Sequence, residues 1–251
     1  MKSIDLNCDL GEGMATDEEM IALISSANIA CGFHAGNEYI MKTTIELCLQ
    51  YNVAIGAHPS WPDKENFGRT EMQRSPNELY NYILQQLKNI DAITKKMGAK
   101  LHHIKPHGAL YNQAAKDKTI AATIAKAVKD FDGALILYGL SGSILNSEAQ
   151  QLGLQTANEV FADRTYTDEG YLTTRSQPNA LIEDAATAAN QALQLIQQGT
   201  LKTTSGNMIS VSVDTICLHG DGKHAVEFCK TIHEQLKNNS IEIKALQKIA
   251  F

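Results

Sequence analysis

Polar and apolar residues alternate from the start of the chain. Over residues 4–9, Ile4, Leu6 and Cys8 fall on one face of an extended segment and Asp5, Asn7 and Asp9 on the other, because successive strand side chains point to opposite sides. Gly11 ends this segment. Thr16 is placed to cap a helix whose first turn is acidic (Asp17, Glu18, Glu19) and whose apolar stripe is Met20, Ile21, Leu23 and Ile24. The same grammar then repeats. Strands are predicted over 28–34, 53–58, 101–106, 134–139, 154–162 and 211–219. Helices are predicted over 38–51, 76–97, 118–129, 143–152, 178–198 and 223–237. Pro76 suits a first helical position. Residues 60–75 and 165–177 read as polar loops, and 241–251 fits either a strand or a helix.

Seven strands separated by helices predict a parallel α/β architecture, closed as a barrel or open and doubly wound. An open sheet concentrates ligand residues at one crevice, whereas a barrel draws them from many strand ends. Polar clusters close the first, second, third, fourth, sixth and seventh strands. The expectation is therefore an irregular seven-stranded parallel β/α barrel, a single domain over residues 1–251. Alternation puts Ala30, Gly32 and His34 on one face, Ala54, Gly56 and His58 on another, and His103, Lys105 and His107 on a third. Glu159, Phe161 and Asp163 share a face, as do Cys217 and His219. Small residues suit a narrow interior, and the titratable ones fall at its C-terminal rim.

Composition narrows the class. A net charge of −6 gives no reason to expect nucleic acid or an anionic membrane as a partner. No apolar run has transmembrane length and no basic-then-apolar leader opens the chain, so a cytoplasmic location is expected. Five cysteines without CxxC spacing predict reduced, mostly buried thiols. Cys8 and Cys31 fall on apolar faces, while Cys217 faces inward.

Burying so many polar groups without partners would cost roughly 1–3 kcal/mol each, which a fold tolerates where a site needs them. Asp9, His34 and His58 make a carboxylate and two imidazoles, a weak metal-ligand set beside the alternative of a hydrogen-bonded rim. His103 and His107 have HxxxH spacing, but Pro106 rules out a regular helix there. HExxH and GxSxG are absent. Gly222-Lys223 is followed by His224, and Cys217 stands where a P-loop needs its first glycine, so the chain lacks that nucleotide signature. Gly139 to Ser143 before a helix is a possible anion cradle.

Several long blocks resemble the LamB/YcsF family. They are Asp5 to Glu12, Ser26 to Gly36, Gly56 to Ser60, Phe67 to Arg69, Lys105 to Asn112, Glu159 to Arg164 with Tyr166, and Cys217 to Asp221. The chain departs from the family at Asn37-Glu38, where Asp-Pro is usual, at Trp61, where Tyr or Phe is common, and at Thr70, where a second Arg is common. The resemblance implies a seven-stranded barrel related to polysaccharide deacetylases. It implies ATP-dependent opening of 5-oxoproline to L-glutamate, together with two other 5-oxoprolinase subunits. ATP, with Mg, would act through the assembled complex, and no tightly bound organic cofactor is expected. On that reading Asp9, His58, Lys105, His107 and His219 are catalytic candidates, with Asp9 or another inner acid as general base and Lys105 and a histidine facing the oxyanion. Asn7, Glu12, His34, Arg69, Glu159, Asp163 and Arg164 are substrate-binding candidates, with Arg69 or Arg164 gripping the substrate carboxylate. Structural alternatives stand beside these roles: Lys105 pairing with Asp9 or Glu159, and Arg164 locking a loop. Asp9→Asn, His58→Ala, Lys105→Met and His107→Ala are expected to abolish turnover and leave the melt nearly unchanged. Rival classes are a stand-alone metal-dependent deacylase and a non-catalytic protein that only binds substrate or partners.

Overall fold

In a computed structural model of the protein, residues 2–219 and 225–248 are described, His219 by its backbone alone. The elements run β1 (Lys2–Leu10), α1 (Asp17–Ile21), β2 (Ser26–Ala30), α2 (Glu38–Tyr51), β3 (Ala54–His58), α3 (Pro76–Lys96), β4 (His103–Ile104), α4 (Gly108–Ala114), α5 (Lys118–Asp132) and β5 (Ile136–Leu140). They continue through α6 (Ile144–Gln151), β6 (Thr156–Phe161), α7 (Ala185–Gln198), β7 (Thr200–Lys202), β8 (Met208–Ser210), β9 (Thr215–His219), α8 (Ala225–Asn238) and β10 (Ile241–Ile243). Parallel pairing runs β1-β2-β3-β4-β5-β6-β9 and returns from β9 to β1, which closes a seven-stranded barrel. The β10 strand adds to the start of β1, and β7 and β8 form a separate antiparallel pair.

The two faces of the barrel wall have opposite chemistry. Outward-pointing Ile4, Leu6, Cys8, Ile29, Ile55, Ala57, Leu137, Val160, Ile216 and Leu218 lie in one apolar core with the helices. Inside, the lower layer holds Ile136, Tyr138 and Ala157, against which Leu246 packs. Above them the interior is polar, so each group needs a partner. Asp5 accepts four hydroxyls, from Ser25 at 2.7 Å, Ser26 at 2.7 Å, Tyr138 at 2.9 Å and Thr215 at 2.6 Å. Asn7 donates to Thr215 Oγ1 at 2.7 Å and to Glu159 Oε1 at 2.9 Å. The β3 strand passes close to the His103 ring, and only glycine fits there: a Cβ on Gly56 would lie 2.1 Å from His103 Nε2.

Local chemistry sets the helix starts. Ser75 and Glu78 form a reciprocal capping box with Pro76 in the first turn of α3. Asn37 accepts from Ile40 N at 3.0 Å and caps α2, so this amide does the capping work at a position where the family usually carries a carboxylate. Thr16 makes no side-chain cap; Asp17 instead accepts from Gly11 N at 2.8 Å. The helix predicted from residue 178 begins at Ala185, capped by Asp184. Residues 178–182 instead fold back on 163–165 through Ile182 N to Asp163 O (2.9 Å) and Thr165 N to Ala180 O (3.2 Å). The predicted second strand stops at Ala30, with Gly32 at φ +92°, which leaves His34 on a loop. The α4 helix and the β7–β8 pair lie outside the elements that the sequence pattern predicts. Trp61 is buried and donates to Gln113 Oε1 at 2.7 Å, and Thr70 N donates to Asp63 Oδ2 at 3.0 Å. Among the described residues, no helix is long and apolar enough to cross a membrane.

Candidate active site

Parallel closure brings the C-terminal ends of all seven strands to one mouth. There Asp9 comes from β1, Glu12 from the turn after it, His34 from the loop after β2, His58 from the end of β3, and Lys105 and His107 from the extended chain after β4. That last segment keeps pairing with β3, through Lys105 N to Ala57 O at 3.0 Å and His107 N to Pro59 O at 2.8 Å. A cavity of about 680 Å³ opens above, with Asp9, Glu12, Lys105 and His107 among its lining residues. Arg69, Lys116 and Arg175 line it as well.

Lys105 is the hub. Its Nζ donates to Asp9 Oδ1 at 2.9 Å and to Cys217 Sγ at 2.9 Å, lies 2.9 Å from Glu159 Oε1, and stands over the Phe161 ring at 5.2 Å. Burial alone would favour the neutral amine, but the Asp9 and Glu159 carboxylates, with Cys217 Sγ accepting a hydrogen bond, outweigh it and hold the pKa well above the usual lysine value. Asp9 Oδ1 also accepts Asn28 Nδ2 at 2.8 Å, while Oδ2 lies 3.3 Å from His58 Nε2. One carboxylate oxygen is thus pinned from two sides, which fixes the direction of the other. Cys217 stays a protonated thiol, because burial raises its pKa more than Lys105 lowers it. It is therefore not an activated nucleophile.

The histidines form a second group beside Asp9. His58 Nδ1 is 2.7 Å from the Lys105 carbonyl oxygen, and His58 Nε2 is 2.9 Å from His107 Nδ1. His107 Nε2 is 2.8 Å from the Phe67 carbonyl oxygen. Phe67 holds that carbonyl in place from a left-handed backbone (φ +56°), local strain of a kind that recurs at functional sites. His34 stacks on His107 with centroids 3.7 Å apart, and its Nε2 is 3.0 Å from Glu12 Oε1. Burial, reinforced by His58, pushes the His34 pKa down to about 2. Burial and the neighbouring His58 and His34 likewise hold His107 well below the usual imidazole value. Glu12, His34, His58 and His107 bring one donor atom each within 4.8 Å of one another, but the parallel stacking of His34 on His107 keeps those two rings from facing a single ion. Of the sequence's metal candidates, His34 and His58 belong to this group, while Asp9 is bound up with Lys105 and Asn28.

Several expected substrate contacts sit elsewhere. Asn7 and Glu159 are fully buried behind Lys105 and do not line the cavity; they hold the lysine and the interior ladder. Asp163 does not line it either, and its carbonyl anchors Ile182. Arg164 lines the cavity, and its Nε and Nη2 donate to the Ala180 and Thr173 carbonyls at 3.2 and 2.6 Å, so it locks the 163–182 loop. His34 and His58 are buried behind the lining residues, so they position others. The side chain of His219 lies outside the described residues, as do Gly220 to His224. Asn28, which alternates with Ala30 on the inner face, joins the site without having been signalled by a motif of its own. Its amide donates to Asp9 and Asn7, and its Oδ1 is 2.8 Å from His103 Nε2. Tyr111 also lines the cavity; burial, with the Glu159 carboxylate beside it, raises its pKa well above the usual phenol value.

Comparison with known proteins places this geometry. Residues 4–251 match the family model described as the LamB/YcsF family. A protein from Tolumonas auensis named as the A-subunit of 5-oxoprolinase is 48% identical over 251 residues, covering 98% of this chain and 100% of that one. Its namesake from Geobacillus thermodenitrificans is 49% identical over 252 residues, covering 99% and 98%. Among solved structures, a lactam utilization protein from Thermus thermophilus superposes with a TM-score of 0.92 at 40% identity, covering 98% of this chain and 100% of that one. A family 4 carbohydrate esterase from Streptomyces lividans shares the fold alone, with a TM-score of 0.51 at 11% identity over 99% and 97%.

Proposed function

Because the chain belongs to the LamB/YcsF family, we propose that it is one component of a multi-subunit 5-oxoprolinase and that its barrel mouth opens the lactam of 5-oxoproline to give L-glutamate. The reaction is coupled to hydrolysis of ATP to ADP and phosphate, with ATP and Mg²⁺ supplied through two partner subunits. The names of the relatives support the assignment to a 5-oxoprolinase. The observation that carries the chemistry is the Asp9–Lys105 pair at the floor of the cavity, a base and a cation 2.9 Å apart.

The unactivated lactam is a stable amide. Asp9 Oδ2 takes a proton from the attacking water, while Asn28 and Lys105 fix the carboxylate through Oδ1. As the carbonyl carbon becomes tetrahedral, negative charge develops on its oxygen, and the Lys105 ammonium stabilises it from a site where water is excluded. The carbon–nitrogen bond then breaks, and Asp9 delivers the proton it took from water to the departing ring nitrogen, which becomes the amine of glutamate. Arg69 stands at the mouth, over the Phe67 ring at 5.0 Å, and is the cation for the substrate carboxylate. The lining of the mouth by Arg69, Lys116 and Arg175 also suits the phosphate groups of a coupled reaction.

The test is ATP-dependent release of glutamate from 5-oxoproline by the chain alone and with its candidate partner subunits. The expected result is activity only in the assembled mixture and only with ATP. Hydrolysis of N-acyl substrates by the chain alone, without ATP, would replace this reading with a deacylase.

A further inference from the structure

We propose that Asp63, a buried carboxylate outside the cavity lining, is the positioning residue for Arg69 and so sets the affinity of the mouth for a substrate carboxylate. The inference rests on Arg69 being the clamp for that carboxylate. Arg69 lies in residues 59–75, the connection between β3 and α3, which contains no helix or strand to hold it. Asp63 supplies a frame instead. Its Oδ1 accepts Asn66 Nδ2 at 2.8 Å and Asn66 N at 3.3 Å, and its Oδ2 accepts Thr70 N at 3.0 Å. Its main-chain carbonyl accepts Gly68 N at 2.7 Å. One residue thus ties down Asn66, Gly68 and Thr70, on both sides of Arg69, in the manner of an aspartate that organises a turn.

The frame needs a carboxylate in particular. The Asn66 and Thr70 donors approach different oxygens, and only an ionised carboxyl accepts on both. Burial would raise the Asp63 pKa, but hydrogen bonds from Asn66 and Thr70 outweigh it and hold the carboxyl below its usual range. The backbone inside the frame is costly. Phe67 and Gly68 are consecutive left-handed residues, at φ +56° and +67°, and a phenylalanine keeps that conformation only where its surroundings enforce it. The inner half of the loop has a second anchor on the barrel, because Gly68 O accepts Ala109 N at 2.9 Å. It also lies directly on the histidines: a Cβ on Gly68 would be 2.7 Å from His107 Cδ2. The outer half is tied through Thr70 N to Asp63 and through Arg69 N to Asn66 O at 3.1 Å. From there the guanidinium reaches over the Phe67 ring at 5.0 Å and lines the mouth. Loss of the Asp63 carboxylate therefore releases Arg69 before it disturbs His107.

The test is a double-mutant cycle in the assembled complex. Asp63→Asn keeps the size and one acceptor oxygen, which guards against loss of fold; Asp63→Ala removes the frame. Each should raise the KM for 5-oxoproline by roughly 10-fold, and by no more than Arg69→Ala does, with kcat within about twofold of wild type. In an Arg69→Ala background the same substitutions should add nothing, because the group they position is gone. A merely structural Asp63 would lower the melt and leave KM alone, or would add its full effect to that of Arg69→Ala; either result overturns the proposal. Nitrogen-15 relaxation of the Arg69 Nε–H group in the isolated chain reads the positioning without turnover. The group should be ordered in the wild type and mobile in both Asp63 variants, with circular dichroism confirming that they fold. An Arg69 equally ordered in folded Asp63→Ala also overturns the proposal. An unchanged KM in Arg69→Ala would instead remove the clamp reading, and the relaxation result alone would then decide whether Asp63 orders Arg69.

Discussion

Replacing Lys105 by Met is the sharpest stability test, because the sequence and the structure disagree about it. From the sequence, a rim lysine should be removable without affecting the melt. In the structure Lys105 is 2% exposed and lies 2.9 Å from carboxylate oxygens of both Asp9 and Glu159. Methionine fills the space but leaves two carboxylates in the interior without their cation. Removing one partner of a buried pair costs about 3–5 kcal/mol. For a chain of this size each kcal/mol lowers the melting temperature by about 2–4 °C, so Lys105→Met should melt roughly 6–20 °C below the wild type. The melt of the isolated chain, followed by far-UV circular dichroism, is the assay. Adding Glu159→Gln removes one stranded charge and should recover part of the loss, with a coupling of roughly 0.5–3 kcal/mol. A Lys105→Met melt within about 2 °C of wild type, with no coupling to Glu159→Gln, would refute the hub role.

Other outcomes follow from the same geometry. Gly56→Ala puts a Cβ 2.1 Å from His103 Nε2; overpacking of about 1–3 kcal/mol, with displacement of the Asn28 contact that aims Asp9, should lower both the urea midpoint and turnover. Burial holds the His103 pKa well below 6.5. The unfolded chain therefore takes a proton near 6.5 that the folded one refuses, and stability falls as the pH drops below that value. The slope from this residue reaches about 1.4 kcal/mol per pH unit; His103→Gln should remove it in urea titrations run from neutral to mildly acidic pH, and an unchanged slope would show that the residue is not buried neutral. Arg69→Ala should raise the KM for 5-oxoproline by roughly 10- to 100-fold, the loss of a charge-assisted clamp, with kcat little changed; a fall in kcat alone would move the carboxylate contact elsewhere.

The residues legible in the sequence were those whose alternation has a single geometric meaning. Asp5, Asn7 and Asp9 had to point away from Ile4, Leu6 and Cys8, and six strands closed by polar clusters argued for a barrel with an active rim. The structural alternatives for Lys105 and Arg164 could be stated in advance, but choosing between them needed distances, because pairing across the barrel is set by register. Residues 178–184 differ from the predicted helix for a local reason: their composition permits a helix, yet main-chain bonds to 163–165 hold 178–180 in a turn and Leu181 in a bridge to Arg164, and Asp184 caps the helix later. In the sequence Glu12 and His107 belong to separate substrate-binding and catalytic sets; closure of the barrel puts them in one cluster with His34 and His58. Asn28 was within reach, since extending the inner-face alternation by one residue would have found it.

The central claim is that the carboxylate aimed by Asn28 and Lys105 at the floor of this cavity removes the proton from the attacking water. Asp9→Asn preserves the side chain's size and removes its basicity, and Glu159 remains 2.9 Å from Lys105 to balance the ammonium. In the reconstituted complex, glutamate formed per ATP-dependent turnover should fall by roughly 10²- to 10⁴-fold while the complex still assembles. Turnover within a few-fold of wild type in an assembled Asp9→Asn complex would contradict the account.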